Sequence, residues 1–226
     1  MRRDRPVILL TGFGPFPGAP ANASSLLVDE LARLAPRRLP GYAVHAETLP
    51  TEWLAGPDRL SALLDDHAPV VALHFGVSHR ARGFVVETRA RNTRQDITDA
   101  CGAAPDELCI AENGPPEMSA TLPTGLIVER LRRMGLPVQL SRDAGGYLCN
   151  ALLYHSLSEA RRRDALRAGS SFGPSSGPRR GFIHIPDRLA AGRGGARRAS
   201  ASLLDWDSAL EGGLEILSIC AGVGER

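Results

Sequence analysis

The chain has 226 residues, 43% apolar and 23% charged, with a formal net charge of +2. That length and apolar content fill one hydrophobic core, so a single domain over 1–226 is expected, and so even a charge balance argues against a nucleic-acid partner. The opening M-R-R-D-R-P-V-I-L-L-T-G has a short apolar run, Val7 to Leu10, before a threonine and a glycine. This is too little for a secretory leader or a membrane span, which gives a cytoplasmic location and no membrane partner as the expectation. Cys101, Cys109, Cys149 and Cys220 form no C-x-x-C pair and show no histidine spacing typical of zinc. They read as reduced thiols, with no metal implied.

Val7 to Leu10 ends at Thr11-Gly12, the pattern of a strand buried on both faces. The loop predicted after it, Phe13-Gly14-Pro15-Phe16-Pro17-Gly18, sets two aromatic rings among glycine and proline, where a loop is normally polar. The rings either plug the core or wall a small apolar pocket, and the residues leave both open. Asn22 to Ser25 supplies caps for a helix with Leu26, Leu27, Leu31 and Leu34 at helical spacing. Ala43 to Leu49 alternates weakly as a second strand closed by Pro50-Thr51, Trp53, Leu60, Leu63 and Leu64 mark a second helix, and Val70 to Phe75 is a third strand. This order implies an α/β fold: a twisted, largely parallel central sheet with helices on both faces, in three layers. Ligands of such sheets gather at the carboxyl ends of strands, here after Leu10, after Phe75 and before Cys149.

Phe84 to Val86 is the next predicted strand, with Glu87 at its end; an ion pair with Arg89 or Arg91 is the ordinary reading of such a glutamate. Asp96 to Glu117 has no periodicity and reads as a long loop or hairpin, and Ser119 to Met134 as a helix. Val138 to Leu140 is β-prone, Ala144 to Gly146 has almost no side-chain bulk, and Leu148, Leu152 and Leu153 then recur at helical spacing. Cys149 is thereby predicted in the first turn of a helix. Unpaired N–H groups and the positive end of the dipole favour a thiolate there, although a free cysteine is also a common small core residue. Arg161 to Arg180, with R-R-R-D and G-S-S-F-G-P-S-S-G-P-R-R, reads as a flexible insertion, and Gly192 to Ser200 as a second loose segment. Gly181 to Pro186 is a short strand with His184 at its middle, either a satisfied core histidine or a reactive imidazole. Leu203 to Leu217 is a closing amphipathic helix.

A cysteine peptidase needs a thiolate, an imidazole and a group that orients the imidazole, and Cys149, His184 and Glu87 supply these types. Thr11-Gly12-Phe13-x-Pro15-Phe16-x-Gly18 with the later Asn22, Glu87-x-x-Ala90-x-Asn92, Ala144-Gly145-x-Tyr147-Leu148-Cys149-Asn150 and Phe182-Ile183-His184-Ile185-Pro186 follow one another in order. In these four motifs the chain resembles the pyroglutamyl-peptidase I (pyrrolidone-carboxylate peptidase) family of cysteine peptidases. The resemblance implies a Cys149, His184 and Glu87 triad that removes N-terminal pyroglutamate from small peptides without a cofactor or metal. It assigns the walls of the lactam pocket to Phe13 and Phe16, with Asn22, Thr51, Tyr147 and Leu148 as further substrate-binding positions, and backbone N–H groups near Tyr147 to Cys149 to the oxyanion. Family members in bacteria form homo-oligomers, so the resemblance extends to one here. Four features depart from the family pattern. Gly14 stands where an acidic residue is common, Pro17 replaces a glycine, Val77 replaces the glutamine of some bacterial members, and the segment after Asn92 is closer to the eukaryotic branch. The competing readings are a cysteine amidohydrolase for another small acyl group and a binding module that kept the fold.

Overall fold

The structure, a computed structural model, describes residues 5–16, 20–168, 177–192 and 203–223. Its organising strand is β1, Val7–Phe13, whose apolar side chains point alternately into two layers. It runs parallel to β2, Ala43–Leu49, on one side and to β3, Val71–Ser78, on the other. Strand β4 is Phe84–Glu87; β5, Arg89–Arg91, and β6, Glu117–Ser119, form a separate antiparallel pair. Strand β7, Val138–Ser141, lies parallel to β4, and β8, Arg179–Pro186, parallel to β3. The main sheet has the order β2-β1-β3-β8-β4-β7, and its one antiparallel ladder joins β4 to β8.

Helices α1, Ala23–Arg38, α3, Thr124–Arg133, and α5, Trp206–Cys220, cover one face; α2, Ala55–His67, and α4, Leu148–Ala168, cover the other. Ile8, Leu10, Ile183 and Ile185 meet the first layer, while Leu9, Ala72 and Phe182 meet Leu60, Leu64, Leu152 and Leu153 of the second. The three layers expected from the sequence are therefore present, with a mostly parallel sheet at the centre. Asn22 caps α1 by accepting the Ser24 N–H, and Arg37 and Arg38 lie at its negative end. Among the described residues no helix is long and apolar enough to cross a membrane.

Several boundaries differ from those expected. β1 continues to Phe13 and β3 to Ser78, so the first loop phenylalanine is a strand residue. Helix α3 starts at Thr124, because residues 117–119 are taken up by pairing with β5. The closing helix begins at Trp206 and reaches Cys220, and a 3₁₀ segment, Asp187–Gly192, follows β8. The flexible insertion read from composition over 161–180 is corrected at both ends. Residues 161–168 complete α4, held where Arg163 donates to Leu64 O at 2.6 Å and pairs with Glu159 and Asp65. Arg180 lies within β8 with 0% exposure, donating to Pro69 O at 3.1 Å and to Glu159 at 3.2 Å. Acceptors on α2, on α4 and at Pro69 make full burial of Arg180 and part-burial of Arg163 possible, and composition carries no trace of them. Residues 169–176, and 193–200 of the second loose segment, lie outside the described residues.

Breaking a buried charged pair from one side leaves the other charge in a poor environment. Arg180→Ala should lower the unfolding free energy by about 3 kcal/mol in urea titration. A change within error would show that Arg180 adds nothing to the seating of β8.

Candidate active site

The register of β8 sets the geometry. Gly76 of β3 lies opposite His184 on one side, and Val85 of β4 lies opposite it on the other. Glu87 is opposite Phe182, one side-chain step along the same face, so its carboxylate reaches His184 diagonally. His184 Nδ1 donates to Glu87 Oε1 at 2.9 Å, with the two residues 8% and 1% exposed. Glu87 Oε2 has no hydrogen-bond partner among the described residues, so the carboxylate is directed at the imidazole alone. The ordinary reading of Glu87 as a partner of Arg89 or Arg91 is overturned: Arg89 pairs with Glu117 and Arg91 with Asp143.

Cys149 is the second residue of α4, half-buried, and its sulfur lies close enough to His184 for its charge to act on the imidazole. The helix start can come this close because Gly76 carries no side chain. A Cβ there would lie 2.7 Å from the Phe182 ring and 3.1 Å from Cys149 Sγ. Asn150 fixes the turn from the other side. It accepts the Arg91 N–H at 2.8 Å and donates to Arg91 O at 2.8 Å and Thr93 O at 2.9 Å. The three residues meet beneath the start of α4, with His184 and Gly76 near the carboxyl ends of β8 and β3, as the sequence leads one to expect. Because β4 runs antiparallel to β8, its end brings Glu87 opposite Phe182, two residues back from His184.

Burial opposes charge on His184, but the negative charge of Cys149 and the hydrogen bond from it, followed by the hydrogen bond and charge of Glu87, push its pKa up to about 10. The imidazole therefore carries its proton at neutral pH, beside the sulfur of Cys149.

Beside Cys149 opens a cavity of about 50 Å³ lined by Phe13, Phe16, Asn22, Thr51, Val77, Tyr147 and Leu148. All six residues expected around a substrate thus border one space, together with Val77. Their functions in it differ. Asn22 Nδ2 and Thr51 Oγ1 both donate to Gly14 O, at 3.0 and 3.1 Å, and the Gly14 N–H donates to Leu49 O at 2.9 Å. The polar ends of Asn22 and Thr51 therefore hold the segment between the two phenylalanines. Phe13 is 4% exposed and its ring lies 6.2 Å from that of Phe182, so it is both core and wall. Phe16 is half-buried. Burial raises the Tyr147 hydroxyl to about 12, which keeps it neutral at the cavity mouth.

Three structural contributors escaped the sequence reading. Gly76 stands at the head of G-V-S-H, a position with no local turn to mark it. Asn150 is inside the cysteine motif but has its partners 57 and 59 residues away. Trp53, which the sequence pattern sets on a helix face, precedes α2 and meets Tyr147 edge-on. Among the described residues no group of three or more His, Cys, Asp or Glu side chains could hold a metal ion.

A mostly parallel α/β sheet with a hydrogen-bonded histidine and glutamate beside a cysteine at a helix start is an arrangement suited to a cysteine hydrolase, and comparison with known proteins narrows the class. The family model for pyroglutamyl peptidase matches residues 6–191. The chain is 32% identical over 188 residues to pyroglutamyl-peptidase 1 of Mus musculus, covering 82% of this chain and 81% of the mouse protein. It is 36% identical over 180 residues to the pyrrolidone-carboxylate peptidase of Chromobacterium violaceum, with 79% and 77% covered. The fold matches the crystal structure of Bacillus amyloliquefaciens pyroglutamyl peptidase I with a TM-score of 0.77 at 26% identity, over 96% of this chain and 97% of that one. The chain belongs to the pyroglutamyl peptidase family.

Removing a negative neighbour from a cation makes its charged form less favourable, so both Glu87→Gln and Cys149→Ser should lower the His184 titration midpoint from about 10. NMR of the imidazole resonances reads this directly. In the wild type, the stability contributed by this raised pKa is complete below the ordinary value of 6.5 and is lost as pH rises through about 10. An unchanged midpoint in both variants would separate His184 from its two neighbours.

Proposed function

We propose that this protein hydrolyses the amide bond that follows an N-terminal pyroglutamyl residue in small peptides. Cys149 is the nucleophile. With the thiol proton already carried by His184, the sulfur attacks the pyroglutamyl carbonyl carbon to give a tetrahedral intermediate whose oxyanion is met by N–H groups at the start of α4. His184 then returns the proton to the departing amine as the C–N bond breaks, leaving a thioester. In the second half, His184 takes a proton from water, the hydroxide adds to the thioester, and the thiolate leaves with free pyroglutamate as product. Glu87 keeps the imidazole in the required orientation and balances its charge.

The observation that carries the reading is the sulfur, imidazole and carboxylate line opening on a small cavity whose lining includes no charged side chain. A lactam ring is flat and has no ammonium group. Rings and aliphatic walls accept it with little desolvation cost, whereas the α-ammonium of an ordinary N-terminus would enter without a counter-charge. With valine at position 77, the polar atoms of the lactam must be met chiefly by backbone groups. The family match and the names of the mouse and bacterial relatives support the same substrate.

A panel of fluorogenic amides tests the proposal. The wild-type protein should release the fluorophore from the pyroglutamyl amide and not from glutamyl, prolyl or alanyl amides, and Cys149→Ala should be inactive while remaining folded. Cleavage of another acyl amide in preference would replace this reading with the amidohydrolase one.

The two phenylalanines should part company under mutation. Phe16→Ala should stay folded and raise KM for the pyroglutamyl amide by an amount equivalent to roughly 1–3 kcal/mol, with a smaller change in kcat. Phe13→Ala should in addition lose about 3 kcal/mol of stability, because it leaves a void against Phe182. Steady-state kinetics with thermal melts distinguish the two, and a folded Phe16→Ala with unchanged KM would remove that ring from the pocket.

A further inference from the structure

Two of the cavity's walls hang on segments outside the sheet. Thr51 belongs to the turn between β2 and α2, which also carries Trp53, and Tyr147 to the segment before α4. Residues 95–103, part of the long connection between β5 and β6, are bonded to both. Their centre is Asp99, 6% exposed. Its Oδ2 accepts the Trp53 N–H at 2.9 Å, and its Oδ1 accepts the N–H groups of Cys101 at 3.0 Å and Ala103 at 2.9 Å and the Cys101 thiol at 3.0 Å.

Further bonds flank this joint. The Ala100 N–H donates to Thr51 O at 3.0 Å, and Trp53 Nε1 donates to Ile97 O at 2.8 Å. At the other wall the Gln95 N–H donates to Gly146 O at 2.7 Å, and a Cβ on Gly146 would lie 2.4 Å from Gln95 Cγ. The Trp53 ring then meets the Tyr147 ring edge-on, with centroids 5.1 Å apart and an interplanar angle of 84°. One short segment thus ties the Thr51 wall to the Tyr147 wall.

We infer that Asp99 is a positioning residue for the pocket: by holding the Trp53 N–H and the 100–103 turn it fixes the spacing of Trp53 and Tyr147, and with it the width of the slot offered to the lactam. The inference rests on the pyroglutamyl reading of the site. Asp99 is absent from the cavity lining, and its hydrogen bonds run to Trp53, Cys101 and Ala103 and not to Cys149 or His184, so its influence falls on recognition and not on bond breaking. Burial opposes ionisation of Asp99, but the Cys101 thiol and the three backbone N–H groups outweigh it and hold the carboxyl below its ordinary range. It therefore remains an acceptor on both oxygens near neutral pH.

Asp99→Asn in the full chain keeps size but turns one acceptor oxygen into a donor, so one set of N–H groups loses its partner. KM for the pyroglutamyl amide should rise about tenfold, the scale of one charge-assisted hydrogen bond, while kcat stays within about threefold. The rate of iodoacetamide labelling at Cys149 should be unchanged. In a Trp206→Phe background, acrylamide should quench Trp53 fluorescence more readily once Asp99 is replaced. Trp53→Phe is the companion variant should Asp99→Asn fail to fold; it keeps the backbone joint, removes the Nε1–H bond to Ile97 O and part of the ring against Tyr147, and should also raise KM. Unchanged KM in folded Asp99→Asn, or in Trp53→Phe where the first does not fold, overturns the role while wild-type activity stands. A fall in kcat with KM unchanged also overturns it. Absence of pyroglutamyl hydrolysis by the wild type overturns the functional reading, and this role with it.

Discussion

The site depends on how closely the first turn of α4 approaches the sheet. Cys149 Sγ occupies the space that a side chain at Gly76 would fill, above a strand whose neighbour supplies His184. The approach is held from two directions: Phe182 and the apolar residues of α4 form one core cluster, and Asn150 uses three hydrogen bonds to clamp the turn to residues 91–93. Neither hold suffices alone. Apolar burial is non-directional and sets only the depth of the helix, whereas the amide bonds fix its rotation and so the direction of the sulfur. The proposed nucleophile is thereby positioned by elements that take no part in chemistry, an arrangement in which orientation is established before substrate arrives.

Two buried histidines on adjacent strands show how neighbours decide function. His74 of β3 lies fully buried between Thr11 and Ser156, hydrogen-bonded to each at 2.8 Å. Burial, with the charge of Arg180 adding to it, pushes its pKa down to about 3. It stays neutral and links β1 through β3 to the middle of α4, which makes it a structural tie. His184 of β8 is nearly as buried, yet a sulfur on one side and a carboxylate on the other drive it the opposite way. The same desolvation acts on both rings, so the difference in sign comes from the charges placed beside them.

Local signals in the sequence were read well where local physics governs. The strand Ala43–Leu49, the end of β4 at Glu87 and the helix start at Cys149 follow from periodicity, turn composition and lack of bulk. What local pattern cannot contain is pairing. The three-residue strands β5 and β6 exist because each meets the other, and the reversal of β4 against β8 is a property of topology. Arg163 and Arg180 looked like parts of a solvated basic tract, but Glu159 lies between them. The polar residues around the cavity carried a related ambiguity: Asn22 and Thr51 border it as expected, while their hydrogen bonds serve the Gly14 carbonyl.

In the proposed mechanism the acyl group passes through the sulfur of Cys149. Acid quenching during turnover of a pyroglutamyl ester, followed by peptide mass mapping, tests it most directly. One added pyroglutamyl group should appear on the peptide containing Cys149 within the first turnover and be labile to hydroxylamine. Turnover with that peptide unmodified throughout, or with the group carried by Cys101, Cys109 or Cys220, would contradict it.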